Sequence, residues 1–279
     1  MTDSMTHKMA FEPMSSSVTR KMTVEELCIA AVPAGTNARI ELVNVETDHS
    51  GSVGDSNLQS LFDEGIPAMI ARIQKNSEER NRIAFVRIAT FSNDVEVLLD
   101  WTNVASASEK AALHAVPKAK GVTRLDLAIR DGLDAIDRMK AAIDAHHPGL
   151  ARGGAVNLVI TDGRITDEHG NEIGVPDDLA LEIAERQTSR ATSSILLGIG
   201  ASVSEEQLAR LAPPTITKNG IKVPHAAMYK HSILFEDSED EKEFWRMVSQ
   251  LMADASSRNS TPGFNEAFMS LDDFEIVGV

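Results

Sequence analysis

Cysteine, basic residues and long apolar runs are all scarce in this chain of 279 residues. The single cysteine, Cys28, excludes an internal disulfide and suits a reducing compartment. No window approaches the roughly 20 consecutive apolar residues that a membrane-spanning helix needs. The first residues lack the basic start and the apolar stretch of a signal peptide. These absences predict a cytoplasmic protein.

Acidic residues outnumber basic ones, with 42 Asp and Glu against 27 Lys and Arg, and the formal net charge is -15. Nucleic-acid binding needs a basic face that displaces counterions. An anionic membrane surface also attracts basic segments. We therefore expect neither a nucleic-acid partner nor a membrane partner. Apolar residues make up 42% of the chain, which is enough for a sizeable core.

Short apolar runs alternate with segments whose apolar residues recur at helical spacing. The predicted strands are 40–45, 82–90, 95–99, 155–161, 194–199 and 231–235. The predicted helices are 23–31, 56–74 with a kink near Gly65, 125–143, 179–190, a short one after Ser204, and 239–255. The alternation predicts an α/β fold with a Rossmann-like, doubly wound, mostly parallel sheet. The short turn between 82–90 and 95–99 predicts a hairpin, and therefore one antiparallel edge strand.

The composition divides the chain into three parts. Residues 1–37 form an N-terminal lead-in with one short helix, which begins at a capping box of Thr23 and Glu26. Residues 38–256 form the main domain. Residues 257–279 combine a linker rich in Ser, Pro and Gly with a tail of acidic and aromatic residues. This tail either docks on its own domain or presents its acids to another protein, including a second copy of the chain.

Oxygen-bearing side chains cluster where the predicted strands end. Asp48, Ser50 and Ser52 follow the first strand, Thr123 precedes the long helix, and Asp162 follows strand 155–161. Open α/β sheets bind ligands at the carboxyl ends of their strands, where the strand order switches. Two carboxylates and three hydroxyls, without histidine or thiol, favour a small hard cation. The sequence therefore predicts a site for Mg2+, and Mn2+ or Ca2+ would suit the same ligands.

These segments resemble the von Willebrand factor A (vWA) domain over about residues 38–256. The Asp48-x-Ser50-x-Ser52 string, the later Thr123 and the Thr161-Asp162-Gly163 turn match the family's metal-ion-dependent adhesion site (MIDAS) in order and spacing. The resemblance implies bound Mg2+ or Mn2+, with the three hydroxyls ligating directly or through water and the two aspartates often through water. It also implies an open coordination position that takes an Asp or Glu carboxylate from a partner protein.

Within the family, the chain is most similar to the small cytosolic bacterial vWA proteins of tellurium-resistance clusters, of the TerY-like type. Phe244 and Trp245, in the predicted last helix, carry this finer resemblance. It implies a divalent-metal-dependent protein-binding module that acts as an adaptor in a stress-response system. A structural or assembly subunit that uses the same fold as a scaffold is an alternative.

His49 stands where this family usually has a small residue, and we expect it to be an exposed loop residue. Ser50 beside His49, with Asp162 near, also raises the alternative of a hydrolase. The G-x-S-x-G nucleophile elbow is absent, and adjacent residues on one loop cannot easily act as nucleophile and base. A metal-assisted hydrolase would need more carboxylates facing the ion. We therefore expect a binding protein and not an enzyme.

Overall fold

A computed structural model of the protein describes most of the predicted main domain. The described residues are 22–33, 35–53, 61–111, 118–150, 152–190, 192–199, 202–211, 216–218, 221–223, 226–230 and 275–277. The predicted strand 231–235, the predicted helix 239–255, and most of the lead-in and the tail lie outside these residues.

Among the described residues, a seven-stranded sheet forms the centre of the fold, and two short strands form a second sheet. The strands are β1 Arg39–Asp48, β2 Arg82–Phe91, β3 Val95–Asn103, β4 Arg152–Thr161, β5 Thr192–Ile199, β6 Ile216–Lys218, β7 Ile221–Val223, β8 Ala226–Lys230 and β9 Glu275–Val277. The order in the large sheet is β3-β2-β1-β4-β5-β8-β9, and β6 pairs with β7.

The inner strands are parallel, as predicted: β1 pairs with β2 and β4, and β5 pairs with β4 and β8. β3 runs antiparallel to β2, which confirms the predicted hairpin edge. A second antiparallel strand, β9, lies on β8 at the other edge. The sequence interpretation missed both β8 and β9. β8 ends one residue before the predicted strand 231–235 begins. β9 has only 3 residues, too few for a residue pattern to stand out.

Helices lie on both faces of the large sheet. They are α1 Val24–Ala30, α2 Ile66–Glu79, α3 Val104–Ala111, α4 Leu125–His146, α5 Asp177–Arg190 and α6 Glu205–Leu211. The predicted capping box is present, because the Thr23 hydroxyl accepts from the Glu26 N–H and the Glu26 carboxylate accepts from the Thr23 N–H. The predicted kink near Gly65 coincides with the junction between a π-helical turn, Leu61–Gly65, and α2.

Apolar side chains fill both sides of the sheet. On one side, Met69 and Ile73 of α2 share a cluster with Val45 and its neighbours on the central strands. On the other side, Leu133 of α4 packs with Val159 of β4. The sheet is therefore covered twice, which explains why its parallel strands are so apolar. None of the helices within the described ranges has the length and apolarity that a membrane crossing requires.

A buried polar network interrupts the core on the α4 side of the sheet. Asn44 and Glu46 of β1 each accept a hydrogen bond of 2.8 Å from Arg87 of β2. Arg87 also pairs with Asp131 of α4 at 2.6 Å. Gly132 permits this close approach, because a Cβ at that position would stand 2.4 Å from the Asn44 amide nitrogen. The network thus holds α4 against the same strand that ends in the candidate site.

Candidate metal centre

The candidate site begins at the carboxyl end of β1. Asp48 is the last residue of this strand and is only 3% exposed. Asp48 Oδ1 accepts a hydrogen bond of 2.7 Å from the Ser50 N–H, which turns the chain directly after the strand. The turn brings the hydroxyl oxygens of Ser50 and Ser52 within 3.1 Å of each other. One short turn therefore supplies a carboxylate and two hydroxyls.

Two further loops meet this turn. Thr123 Oγ1 donates to Ser50 Oγ at 3.1 Å. Ser52 Oγ donates to Asp162 Oδ1, just beyond β4, at 2.9 Å. The structure thus brings together all five side chains that were predicted as metal ligands, and a continuous chain of hydrogen bonds runs from Thr123 to Asp162. Their role as ligands stays a prediction.

The sheet topology explains why these loops meet. β1 lies between β2 and β4, so the next strands along the chain lie on one side of β1, and β4 lies on its other side. β1 and β4 are parallel, and their ladder ends with Thr47 opposite Ile160. The next residues, Asp48 and Thr161, therefore finish the two strands side by side. This switch in strand order is the place where open α/β sheets bind ligands.

His49 is buried, with 2% exposure, and the expectation of an exposed loop histidine is wrong. Its Nε2 lies 3.0 Å from the hydroxyl of Ser92, in the turn between β2 and β3. Its backbone N–H donates to Phe91 O, and its C=O accepts from the Lys120 N–H. His49 therefore ties the Ser50 turn to both neighbouring loops. Local sequence carries no sign of this burial, because the contacting Ser92 lies 43 positions away.

The β2–β3 turn also fixes the loop that carries Thr123. Asn93 Oδ1 accepts a hydrogen bond of 2.9 Å from the Val122 N–H. Gly121 has a φ of +77°, and a Cβ there would stand 2.4 Å from Asn93 Oδ1. Glycine meets both demands, since it tolerates positive φ and leaves room for the carboxamide. On its other side the loop is held by Thr166, whose Oγ1 accepts from the Thr123 N–H at 3.0 Å.

Both carboxylates of the site are costly to ionise, and the charge of Asp48 adds to the cost at Asp162. Burial raises the pKa of Asp48, although hydrogen bonds from Ser50 and Thr161 oppose this. Burial, followed by the negative charge of Asp48, raises the pKa of Asp162 to about 7, against a hydrogen bond from Ser52. Both shifts show that the site concentrates negative charge away from water. A bound cation would offset that charge, so the electrostatics favour a cation at this position.

The donor set fits a small, hard divalent ion. Successive oxygens of Thr123, Ser50, Ser52 and Asp162 stand 2.9 to 3.1 Å apart. Neighbouring ligands of an octahedral ion with metal–oxygen distances of about 2.1 Å are separated by about 3 Å. Within the described ranges no group of three or more His, Cys, Asp or Glu side chains is placed to hold a metal. Hydroxyl oxygens would therefore have to supply most of the coordination.

A family model for the von Willebrand factor type A domain matches residues 46–228, which is more than half of the chain. The chain belongs to this family. The match includes all five candidate ligands of the vWA site, from Asp48 to Asp162.

Solved structures include several of similar fold. A von Willebrand factor type A protein from Catenulispora acidiphila has a TM-score of 0.50 at 14% identity, over 77% of this chain and 43% of that chain. Proximal thread matrix protein 1 from the mussel byssus, with a zinc occupied MIDAS motif, has a TM-score of 0.49 at 13% identity, over 78% and 48%. The pilus adhesin SpaC from Lactobacillus rhamnosus GG has a TM-score of 0.49 at 14% identity, over 78% and 31%.

The chain spans less than half the length of each of these three proteins. The likeness to the Catenulispora protein therefore shows the vWA fold alone. No curated protein matches the sequence.

One residue of the vWA site received no role from the sequence. Thr161, at the end of β4, donates from Oγ1 to Asp48 Oδ2 at 2.7 Å. The same oxygen accepts from the Gly163 N–H at 3.2 Å. The available signal was positional: Thr161 ends a strand that was predicted to lie at the same sheet edge as Asp48.

The acidic loop beyond Asp162 is structured by its own side chains. The Asp167 carboxylate accepts from the N–H groups of His169 and Asn171 and from the Asn171 side chain, at 2.8 to 3.0 Å. Glu172 pairs with Arg164 at 2.8 Å. These acids serve contacts within the loop, which is typical of an ordinary solvated surface and not of a surface dedicated to binding a partner.

Proposed function

We propose that the protein is a divalent-metal-dependent protein-binding module, in which an Asp or Glu of a partner protein completes the coordination of an ion held at the vWA site. The unbroken chain of oxygens from Thr123 through Ser50 and Ser52 to Asp162 carries this proposal. Domains of this family commonly mediate protein interactions. That general property supports a binding role for this chain.

In this proposal the ion is Mg2+, and Mn2+ or Ca2+ suit the same oxygens. Ser50, Ser52 and Thr123 supply neutral hydroxyls, and Asp48 and Asp162 supply the negative charge. With only two anionic ligands, a divalent ion keeps its attraction for a third carboxylate. Ser52 is exposed and Asp162 is partly exposed, so the partner's acid would approach from their side.

We propose binding without catalysis. The His49 ring contacts Ser92, and Ser50 Oγ is bonded to Ser52 and Thr123. Within the part of the chain that the structure describes, Ser50 therefore has no imidazole base, which a serine nucleophile would need. The geometry supports coordination chemistry in preference to acyl transfer.

The setting is proposed from the sequence resemblance alone: a cytoplasmic adaptor in a bacterial stress-response system of the tellurium-resistance type. A single cysteine is compatible with a reducing compartment.

In the C-terminal tail, Glu275–Val277 pairs with β8 of the same chain. This pairing favours docking of these residues on their own domain over self-association through them.

Asp48→Asn tests the metal site. The carboxamide keeps the shape and an acceptor for the Ser50 N–H but removes the charge. We expect Mn2+ affinity, measured by isothermal titration calorimetry, to fall about 100-fold or more. The free energy of unfolding of the metal-free protein should change by no more than about 1 kcal/mol.

Asp167→Asn, in the acidic loop, is the matched control and should bind Mn2+ like the wild type. Wild-type protein that binds neither Mn2+ nor Mg2+ would contradict the proposal.

A second experiment captures partner proteins with the wild type and Asp48→Asn as baits, once with Mg2+ and once with EDTA. We expect a protein that is retained only by the wild type and only with Mg2+. Equal retention by both baits, with and without EDTA, would contradict a metal-dependent module.

A further inference from the structure

Thr161 is bonded on two sides inside the metal site. Its hydroxyl oxygen accepts from the Gly163 N–H at 3.2 Å and donates to Asp48 Oδ2 at 2.7 Å. A hydroxyl has only one proton to donate. Because the Gly163 bond uses a lone pair of the oxygen, the proton remains for the Asp48 carboxylate. Thr161 itself is only 1% exposed, so water does not compete for these bonds.

The two bonds of Thr161 reach different parts of the site. Asp48 belongs to the first turn of the site, and its other oxygen is held by the Ser50 N–H at 2.7 Å. Gly163 follows Asp162 and packs against Thr123, since a Cβ at Gly163 would stand 2.7 Å from Thr123 Oγ1. A single hydroxyl thus joins the turn after β1 to the turn after β4. Both turns carry a candidate carboxylate ligand.

We propose that Thr161 is a positioning residue of the metal site, which fixes the Asp48 carboxylate and the Asp162 turn relative to each other before an ion arrives. The inference rests on the proposed function. Removing a residue that hydrogen-bonds to a metal ligand and orients it commonly lowers the affinity for the metal by 10- to 100-fold. Thr161 meets that description, because it contacts one carboxylate and the turn of the other.

The chain offers a matched comparison for a purely structural threonine. Thr90 lies on β2, next to β1 in the sheet, and is 0% exposed. Its hydroxyl has no hydrogen-bond partner among the residues that the structure describes. Thr→Val at either position keeps the branched shape and removes the hydroxyl. Only the change at Thr161 breaks contacts of the site.

Thr161→Val, Thr161→Ser and Thr90→Val are compared with the wild type by Mn2+ titration calorimetry. We expect Thr161→Val to bind Mn2+ 10- to 100-fold more weakly. Thr161→Ser keeps the hydroxyl and should stay within about threefold of the wild type, as should Thr90→Val. The electron paramagnetic resonance spectrum of bound Mn2+ should change in Thr161→Val alone, which a loss of general stability would not produce.

The outcomes separate this inference from the proposed function. Wild-type protein without Mn2+ or Mg2+ binding would overturn the proposed function and, with it, any positioning role. Wild-type binding with Thr161→Val within about threefold would overturn the positioning role alone. If Thr161→Val does not unfold cooperatively, Thr161→Ala and Thr161→Ser replace it, since they differ by one oxygen atom. Equal Mn2+ affinity of that pair would overturn the inference, and a tenfold or larger difference would support it.

Discussion

Gly163 marks the point where the Asp162 turn passes the Thr123 side chain. A Cβ there would stand 2.7 Å from Thr123 Oγ1 and 3.3 Å from its Cγ2. Thr123 is β-branched and short, so it cannot swing aside as a long side chain would. The identity of a residue without a side chain therefore controls where a candidate ligand sits.

Gly163→Ala should displace the Thr123 hydroxyl. We expect Mn2+ affinity to fall about 10-fold and the free energy of unfolding to fall by about 1–3 kcal/mol. Calorimetry and urea denaturation measure the two effects. Gly174→Ala is the control, because apart from its chain neighbours no atom of the described residues lies within 4 Å of its Cβ position, so both quantities should stay unchanged. Unchanged Mn2+ affinity in Gly163→Ala would contradict the proposal that Gly163 sets the position of the Thr123 hydroxyl.

The meeting of the five candidate side chains was predictable at this scale because each follows or precedes a strand or helix with a clear pattern. The environment of His49 was not, since Ser92 and Lys120 approach it from other loops. The partners of Thr161 were hidden for the same reason: the register between β1 and β4 is a property of the folded sheet.

At the scale of elements, α1 is attached to the domain by one deeply buried residue and a few polar contacts. Ile29 is 0% exposed and shares a cluster with Trp101 and Met139. His147 Nε2 lies 3.0 Å from Ile29 O. Because α1 has only 7 residues, it depends on these contacts for its stability.

Ile29→Ala should weaken the docking of α1. Removing a fully buried Ile side chain costs about 2–5 kcal/mol. Urea denaturation of the full chain measures the loss. Leu27→Ala on the same helix is the control, since Leu27 is 56% exposed and its removal should change stability by about 0.5 kcal/mol or less. Equal effects of the two variants would mean that α1 is not packed as described.

Glu25 makes the attachment of α1 sensitive to acid. Burial raises the pKa of Glu25, but hydrogen bonds from the backbone, Thr23 and Arg138 and the charge of Arg138 outweigh it, so the pKa lies below its usual 4.5. A carboxyl of lowered pKa stabilises the fold above the unfolded pKa, and this contribution is lost as pH falls through the folded pKa.

Glu25→Gln should therefore be less stable than the wild type near neutral pH, by about 1 kcal/mol or less for such a partly exposed pair. The two proteins should converge in acid. Urea denaturation at a series of pH values measures this. Glu79→Gln, which alters an exposed pair with Lys75 at 3.9 Å, is the control and should follow the wild type. A difference that grew in acid would show that the sign is wrong.

Among the elements, the long ones were predicted to within a few residues, because their apolar periodicity is strong. The observed strands are longer than predicted: β1 continues to Asp48 and β3 to Asn103. These additional residues are polar or alternate between polar and apolar. They belong to the strands because their backbones pair with neighbouring strands. The polar face of β1 is covered by α4, a tertiary contact that no local pattern announces.

At the scale of the whole molecule, an ion at the site would join the end of β1, the Thr123 loop and the end of β4. Any ligand that binds only the folded state stabilises it by mass action, by about 2.7 kcal/mol at a concentration of 100 Kd. We expect Mg2+ or Mn2+ to raise the unfolding temperature and EDTA to reverse the rise. Differential scanning calorimetry measures it.

Asp48→Asn is the control for this effect, and its unfolding temperature should not respond to the ion. A wild-type unfolding temperature that does not change with Mg2+ or Mn2+ at millimolar concentration would contradict binding to the folded state.

The overall architecture, a doubly wound sheet with a hairpin edge, followed from the order of the elements alone. The second antiparallel edge did not, because β9 is separated from β8 by more than forty residues of chain.

The pairing of β1 with β4 has a consequence for biosynthesis. Asp48 and Thr161 touch across 113 residues of sequence. A ribosome releases the first long before the second, and distant parallel pairing is a slow step in folding. An unfinished polypeptide that stops short of β4 has the serines but no second acid, so it should not capture an ion. Metal binding would then occur only after the ribosome has synthesised β4 and β4 has paired with β1.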